Sequence, residues 1–166
     1  EQLVRTAGEV AGIAGGSLGQ VNPLDLLRWP GVIREVDRDL RPVLAADTTL
    51  ELAGEIIGKP VDEADAAAIL RRLSGRTHGV LTGVAVAHEG RTEYVQSISE
   101  VRFRHIDDDE IRRYVLTGEP MDKAGAYGIQ GRAGLFIEYM AGSYTGIMGL
   151  PVCETGELLK RFGWRF

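Results

Sequence analysis

Ten residues in the second half of the chain, Asp122-Lys123-Ala124-Gly125-Ala126-Tyr127-Gly128-Ile129-Gln130-Gly131, exclude more local structures than any other stretch. They follow a Glu-Pro break and precede an apolar run. Three glycines among ten residues is a density that neither a helix nor an alternating strand sustains. The segment reads as an ordered loop whose backbone comes close to something, with Lys123 and Gln130 held at its edges. A side-chain amide both donates and accepts, so Gln130 can read the edge of a nucleobase. A second stretch, Ala45-Ala46-Asp47-Thr48-Thr49, puts a carboxylate at the end of an apolar strand and is read as the loop's partner.

Around these two stretches the chain spells out a mixed α/β domain. At 166 residues, 44% hydrophobic and 26% charged, residues 1–166 suffice for one domain that buries most of its apolar surface. Leu3, Ala7, Val10 and Ala14 lie near one helical stripe, so 1–14 is predicted as a helix ended by Gly15-Gly16. A loop and a short helix over 24–29 follow, stopped at Pro30-Gly31, and 34–41 alternates charges. Residues 43–46 read as a short buried strand, and 48–57 as a hairpin turning at Ala53-Gly54. Asp62 caps a helix whose Ala66, Ile69, Leu70 and Leu73 fall at i, i+3, i+4 and i+7, and Gly75 ends it. Val80, Thr82, Val84 and Val86 alternate in a strand, and Glu89-Gly90 turns into a long strand over 92–104. Asp107 and Glu110 form a capping box ahead of Ile111, Tyr114 and Val115. After the glycine loop, 135–140 is a strand, and Pro151 opens a last helix that ends at Gly163. Hairpins dominate this order over βαβ repeats, which predicts a mixed sheet.

Charge and composition narrow the partners. A net charge of −5 with no Lys/Arg run argues against a nucleic-acid polymer, but leaves room for a phosphorylated small molecule where a few cations converge. No apolar run approaches the ~18 residues needed to span a bilayer, so no membrane partner is expected. The chain opens on Glu1-Gln2 with neither a basic nor an apolar leader segment, and its single cysteine, Cys153, has no partner for an intrachain disulfide. Both observations fit a cytoplasmic protein. Cys153 is read as a small buried hydrophobe, and the dispersed His78, His88 and His105 are given no metal role.

Several residues carry chemistry. Asp47 suits a metal ligand or a general base; the bland reading is a capping or turn-forming Asp. Thr48 suits a hydrogen bond to a ligand, or is β-branched strand filler. In Gly58-Lys59-Pro60 the Lys is either pinned toward a phosphate or solvated. Arg76 is either an anion contact or a helix-end charge. Glu119 and Asp122 offer further carboxylates near the loop. Two or three acidic groups around a substrate phosphate recruit a hard divalent cation.

Together these stretches resemble the Maf family of nucleoside triphosphate pyrophosphatases. The matching segments are Leu44-Ala45-Ala46-Asp47-Thr48, Ile57-Gly58-Lys59-Pro60, Leu73-Ser74-Gly75-Arg76-Thr77-His78 with Thr82-Gly83-Val84, and the long stretch from Gly118-Glu119-Pro120 through Gly131. Phe136-Ile137-Glu138, Gly142-Ser143-Tyr144 and Met148-Gly149-Leu150-Pro151 complete the set, in the family's order, over roughly 43–163. The resemblance implies an α/β fold with a strongly bent central sheet flanked by helices, two lobes and a cleft. It implies hydrolysis of a nucleoside triphosphate to the monophosphate and pyrophosphate with Mg²⁺ or Mn²⁺. On that match Asp47 is the catalytic acidic residue and metal ligand, Thr48 and Gln130 help select the base, Lys59 holds the phosphate chain and Lys123 supports the site. The Ala126-Tyr127-Gly128-Ile129-Gln130 form of the loop resembles the branch acting on dTTP, UTP and modified pyrimidine nucleotides. Family members are often homodimers, and some are linked to inhibition of septum formation.

The chain departs from the family at its front. The family's Ser-x-Ser-Pro-Arg-Arg loop, which grips phosphate and base, does not occur here, and residues 1–11 resemble the helix that normally follows it, with Val10 in place of the usual Lys. The expectation is a domain truncated or divergent over 1–41. Two Arg and one Lys fewer at a triphosphate site would remove charge-assisted contacts worth about 1.5–3 kcal/mol each. The alternative to a full pyrophosphatase is a catalytically weakened Maf-like protein that binds nucleotides or a division partner.

Overall fold

The computed structural model describes residues 4–6 and 42–166. A mixed sheet flanked by helices forms, as the order of elements predicts. Strand β1 (Val4–Thr6) runs parallel to β2 (Val43–Leu52), with Val4 opposite Leu44 and Thr6 opposite Ala46. β2 turns at Ala53 and Gly54, with φ of 55° and 87°, into β3 (Glu55–Ile57), which pairs back along Leu50 to Leu52. β4 (Thr77–His88) and β5 (Arg91–Phe103) form a long antiparallel hairpin, and β6 (Ile137–Ala141) closes the far edge. The strand order is β1-β2-β4-β5-β6, with β3 also beside β2.

Three expectations change. The helix predicted over 1–14 gives way at 4–6 to a strand, because three ladder positions along β2 satisfy backbone groups there and Val4 and Thr6 are β-branched. The remainder of that helix and the one over 24–29 lie outside the described residues. The strand predicted to stop at Ala46 continues to Leu52, since β4 pairs with it from Val43 to Glu51. Asp47 therefore sits inside a strand rather than at its end. The strand predicted from Leu135 begins instead at Ile137, because a 3₁₀ turn (Arg132–Phe136) occupies the residues before it.

Helix α1 (Glu63–Leu73) starts where the Asp62 carboxylate accepts the Asp65 N–H at 2.8 Å, and buries Ala66, Ile69, Leu70 and Leu73. Helix α2 (Asp108–Val115) carries the full capping box of Asp107 and Glu110 and buries Ile111, Tyr114 and Val115. A one-turn helix α3 (Tyr144–Ile147) is capped by Ser143, and α4 (Val152–Arg161) follows Pro151.

Cross-strand register lays these contacts on one face of the sheet. Leu44 pairs with Val86, Ala46 with Val84, Thr48 with Thr82, and Leu50 with Val80. On β5, Val95, Ser97 and Ser99 continue the rows of Val84, Thr82 and Val80. A smaller apolar cluster of Leu44, Val84, Val86 and Leu158 lies at one end. A larger one, built on Leu50, Leu52, Val80, Val101 and Phe103 under α1 and α2, lies at the other. A row of hydroxyls, Thr48, Thr82 and Ser97, divides them.

Candidate functional site

The outer side of β2 is split between two partners. β1 pairs with it through Ala46, and β3 begins at Leu50. Among the described strands, residues 47–49 have no neighbour on that side. Asp47 stands in this gap. Burial pushes its carboxyl above the usual carboxylate range, and the Thr48 backbone N–H and the Lys59 ammonium partly offset that rise. Lys59 is exposed and arrives from the end of β3 through Gly58. The Gly58 carbonyl accepts the Gly125 N–H at 2.9 Å, which docks the glycine loop onto the same end of β2. Gly125 has φ of 71°, and a Cβ there would penetrate Leu50 Cδ2, so only glycine fits.

The loop is clamped from beneath. Tyr114 of α2 donates its hydroxyl to Glu119 Oε1 at 2.9 Å and accepts the Gly128 N–H at 3.3 Å. The other Glu119 oxygen accepts the Arg132 N–H at 3.1 Å, and the carboxylate packs where a Gly131 side chain would stand. Glu119, a candidate substrate-side carboxylate by sequence, thus holds the loop. Tyr127 is buried and shares a 2.8 Å hydrogen bond with His78 Nε2. Burial alone depresses His78 to about 4, so its ring is neutral at physiological pH.

The structure brings part of the predicted set together. Lys123 Nζ pairs with Asp122 at 2.7 Å, and its stem lies against Gly128, whose added Cβ would stand 2.9 Å from Lys123 Cε. The Lys123 hydrogen bond holds the Asp122 carboxyl below its ordinary value, and Lys59 adds to that. The field of Lys59 therefore reaches both Asp47 and Asp122, which places the gap in β2 and the start of the glycine loop in one neighbourhood. Thr48 faces the other way. Its side chain lies across the sheet from that of Asp47, by the two-residue period of a strand, and meets Thr82 Oγ1 at 2.8 Å. Gln130 is exposed beyond the clamped Gly128.

Two residues differ from their sequence reading. Cys153 is exposed rather than buried. α4 buries Thr155 and Leu158, and position 153 lies a little over half a turn from Thr155, on the opposite face. Thr82, read only as one member of an alternating strand, is fully buried and donates to the Gly146 carbonyl at 2.6 Å. The signal in the sequence was a lone hydroxyl among Val80, Val84 and Val86.

Among the described residues no group of three or more His, Cys, Asp or Glu side chains forms a metal cage. Asp47 nonetheless offers one hard, desolvated oxygen donor, and Mg²⁺ is commonly held by one or two carboxylates together with substrate phosphates. The donor set fits such a shared cation. No helix among the described residues is long and apolar enough to cross a membrane.

Comparison with known proteins extends this picture. The model of a family described as Maf-like protein matches residues 26–162. A dTTP/UTP pyrophosphatase of Dechloromonas aromatica is 75% identical over 134 residues, covering 81% of this chain and 67% of the relative. One from Aromatoleum aromaticum is 73% identical over 122 residues, covering 74% and 59%. One from Pasteurella multocida is 52% identical over 136 residues, covering 82% and 68%. The chain thus spans 59 to 68% of the length of these relatives.

Proposed function

The chain belongs to the Maf family, and from that membership we propose that it hydrolyses pyrimidine nucleoside triphosphates, dTTP and UTP, to the monophosphate and pyrophosphate. The observation that carries the chemistry is Asp47: a carboxylate raised by burial, on a stretch of β2 whose outer side has no neighbour among the described strands, within the field of Lys59. A raised carboxyl is a better proton acceptor than a solvated one, and the Thr48 backbone N–H and the Lys59 ammonium offset part of that rise. Water adds to the α-phosphorus as Asp47 accepts its proton. The α–β anhydride bond then breaks, and pyrophosphate leaves with the bonding pair. Lys59 neutralises the phosphate chain, and Lys123, held by Asp122 and Gly128, supports the same side. A Mg²⁺ or Mn²⁺ ion held by Asp47 and the triphosphate would neutralise charge and acidify the attacking water. Thr48 and Gln130 are assigned to the base. A homodimer in the cytoplasm belongs to the same reading.

Pyrophosphate release from dTTP and UTP with Mg²⁺ or Mn²⁺, measured beside Asp47→Asn, tests this. Metal-dependent release that the variant loses is the expected result. Nucleotide binding without release above the variant's background would replace hydrolysis with the weakened, binding-only alternative.

A further inference from the structure

The hydroxyl row has a fixed direction. Thr82 has one hydroxyl proton, and its oxygen lies 2.6 Å from the Gly146 carbonyl oxygen. Two oxygens that close repel unless a proton lies between them, and a carbonyl has none to give. The Thr82 proton therefore points at Gly146. The second contact of Thr82, at 2.8 Å to Thr48 Oγ1, then needs the proton of Thr48. Thr82 is fully buried, so water does not offer it another arrangement. Thr48 spends its one proton inward, and its oxygen turns only lone pairs outward.

Among the described residues, Thr48 Oγ1 has no hydrogen-bond partner on that outward side. Thr48 is half-buried, at the end of the row and within residues 47–49 of β2, whose outer side has no neighbour among the described strands. Gly149 lies above it with φ of 112°, and a Cβ there would stand 3.6 Å from Thr48 Oγ1. A side chain at 149 would crowd the space, and the backbone disfavours one. Any ligand atom that meets Thr48 must bring its own proton.

We propose that Thr48 Oγ1 is a hydrogen-bond acceptor held in that state by Thr82, a positioning residue, and that it receives the imide N–H of a uracil or thymine ring. The inference deepens the pyrimidine nucleotide reading and rests on it. Uracil and thymine carry N–H at ring position 3, where cytosine carries a lone pair. A lone pair against the Thr48 oxygen is repelled, so the site selects against cytosine without any charged group.

The test is the ratio of kcat/KM for UTP over CTP in the wild type, Thr82→Val and Thr82→Ser. Val keeps the shape but frees the Thr48 hydroxyl to turn and donate, so the ratio falls about tenfold, the worth of one such hydrogen bond. Ser restores the proton relay and keeps the ratio. General damage to the fold would lower both rates together and leave the ratio alone. An unchanged ratio in Thr82→Val, or a Ser variant that behaves like Val, overturns the proposal while leaving UTP hydrolysis intact. If the wild type hydrolyses neither nucleotide, the pyrophosphatase reading fails by itself, and two other measurements decide this one. NMR should find the Thr82 hydroxyl proton coupled to the Gly146 carbonyl carbon, and calorimetry should find UTP bound more tightly than CTP. A Thr82 proton directed at Thr48, or a chain that binds CTP as well as UTP, refutes it.

Discussion

Asp47 and His78 are both displaced from their ordinary titration by burial, in directions that lead to different experiments. Burial raises Asp47, so its ionised form costs stability in the fold. Asp47→Asn removes that cost. It should reduce turnover about 10²–10⁴-fold, the usual worth of a general base, while leaving the melting temperature equal or higher. A lower melting temperature would show that the carboxylate is held for structure. Lys59 pulls the same carboxyl downward, so Lys59→Gln should move the acid limb of the kcat–pH profile to higher pH. His78 behaves in the reverse sense. It titrates near 6.5 unfolded and about 4 folded, so below pH 6.5 the unfolded chain takes up a proton that the folded one refuses. Stability from this group is complete above 6.5 and falls as the pH approaches 4. Denaturant unfolding of wild type and His78→Gln should show the difference between them shrink by roughly 3 kcal/mol over that window. Asp47 and Lys59 were legible as candidates because each stands beside a break or an apolar run. The job of Glu119 was not legible, since its partners Tyr114 and Arg132 become neighbours only when the loop folds back.

The glycine loop is the element on which the site depends, and tertiary contacts rather than its own conformation hold it. Its pins are the Gly125 N–H on Gly58, the Glu119 carboxylate under Gly131, and Tyr127 against His78. The sequence announced a close backbone approach by glycine density alone, and Gly125 against Leu50 is that approach. It could not name Leu50, which lies on a strand far away in the chain. Gly125→Ala forces a Cβ into Leu50 at a positive φ and should cost about 1–3 kcal/mol, with a matching loss of turnover as the loop lifts from Gly58. Leu50→Ala opens the space that the new methyl needs. The double variant should therefore lose less stability in chemical denaturation than the two single losses added together. Strict additivity would mean that the backbone angle, not the collision, sets the cost.

At the scale of the whole sheet, the described residues form two apolar clusters on one face, parted by the hydroxyl row. Helices α1, α2 and α4 and most strands could be read from caps and periodicity, since those signals are local: Asp62, Asp107 and Glu110 mark helix starts, and Val80 to Val86 alternate. The division into clusters could not, because it depends on register. Thr48, Thr82 and Ser97 form a row only when three strands align, and a slip of one residue would scatter them to opposite faces. The row is satisfied by α3 and α4: Thr82 donates to Gly146, and Ser97 donates to Glu154 at 2.7 Å. Hydroxyls bonded in this way hold position but do not add apolar contact, so the two clusters should be only loosely coupled in energy. Leu158, fully buried in the smaller cluster, supplies the test. Leu158→Ala should cost about 2–5 kcal/mol. Native-state hydrogen exchange should show the loss of protection concentrated in α4 and in β4 around Val84 and Val86, while α1 and α2 keep theirs. Phe103→Ala, in the larger cluster, should do the opposite and expose α1 and α2 first. Equal loss everywhere from either substitution would mean that the two clusters unfold as one unit and that the hydroxyl row transmits strain instead of isolating it.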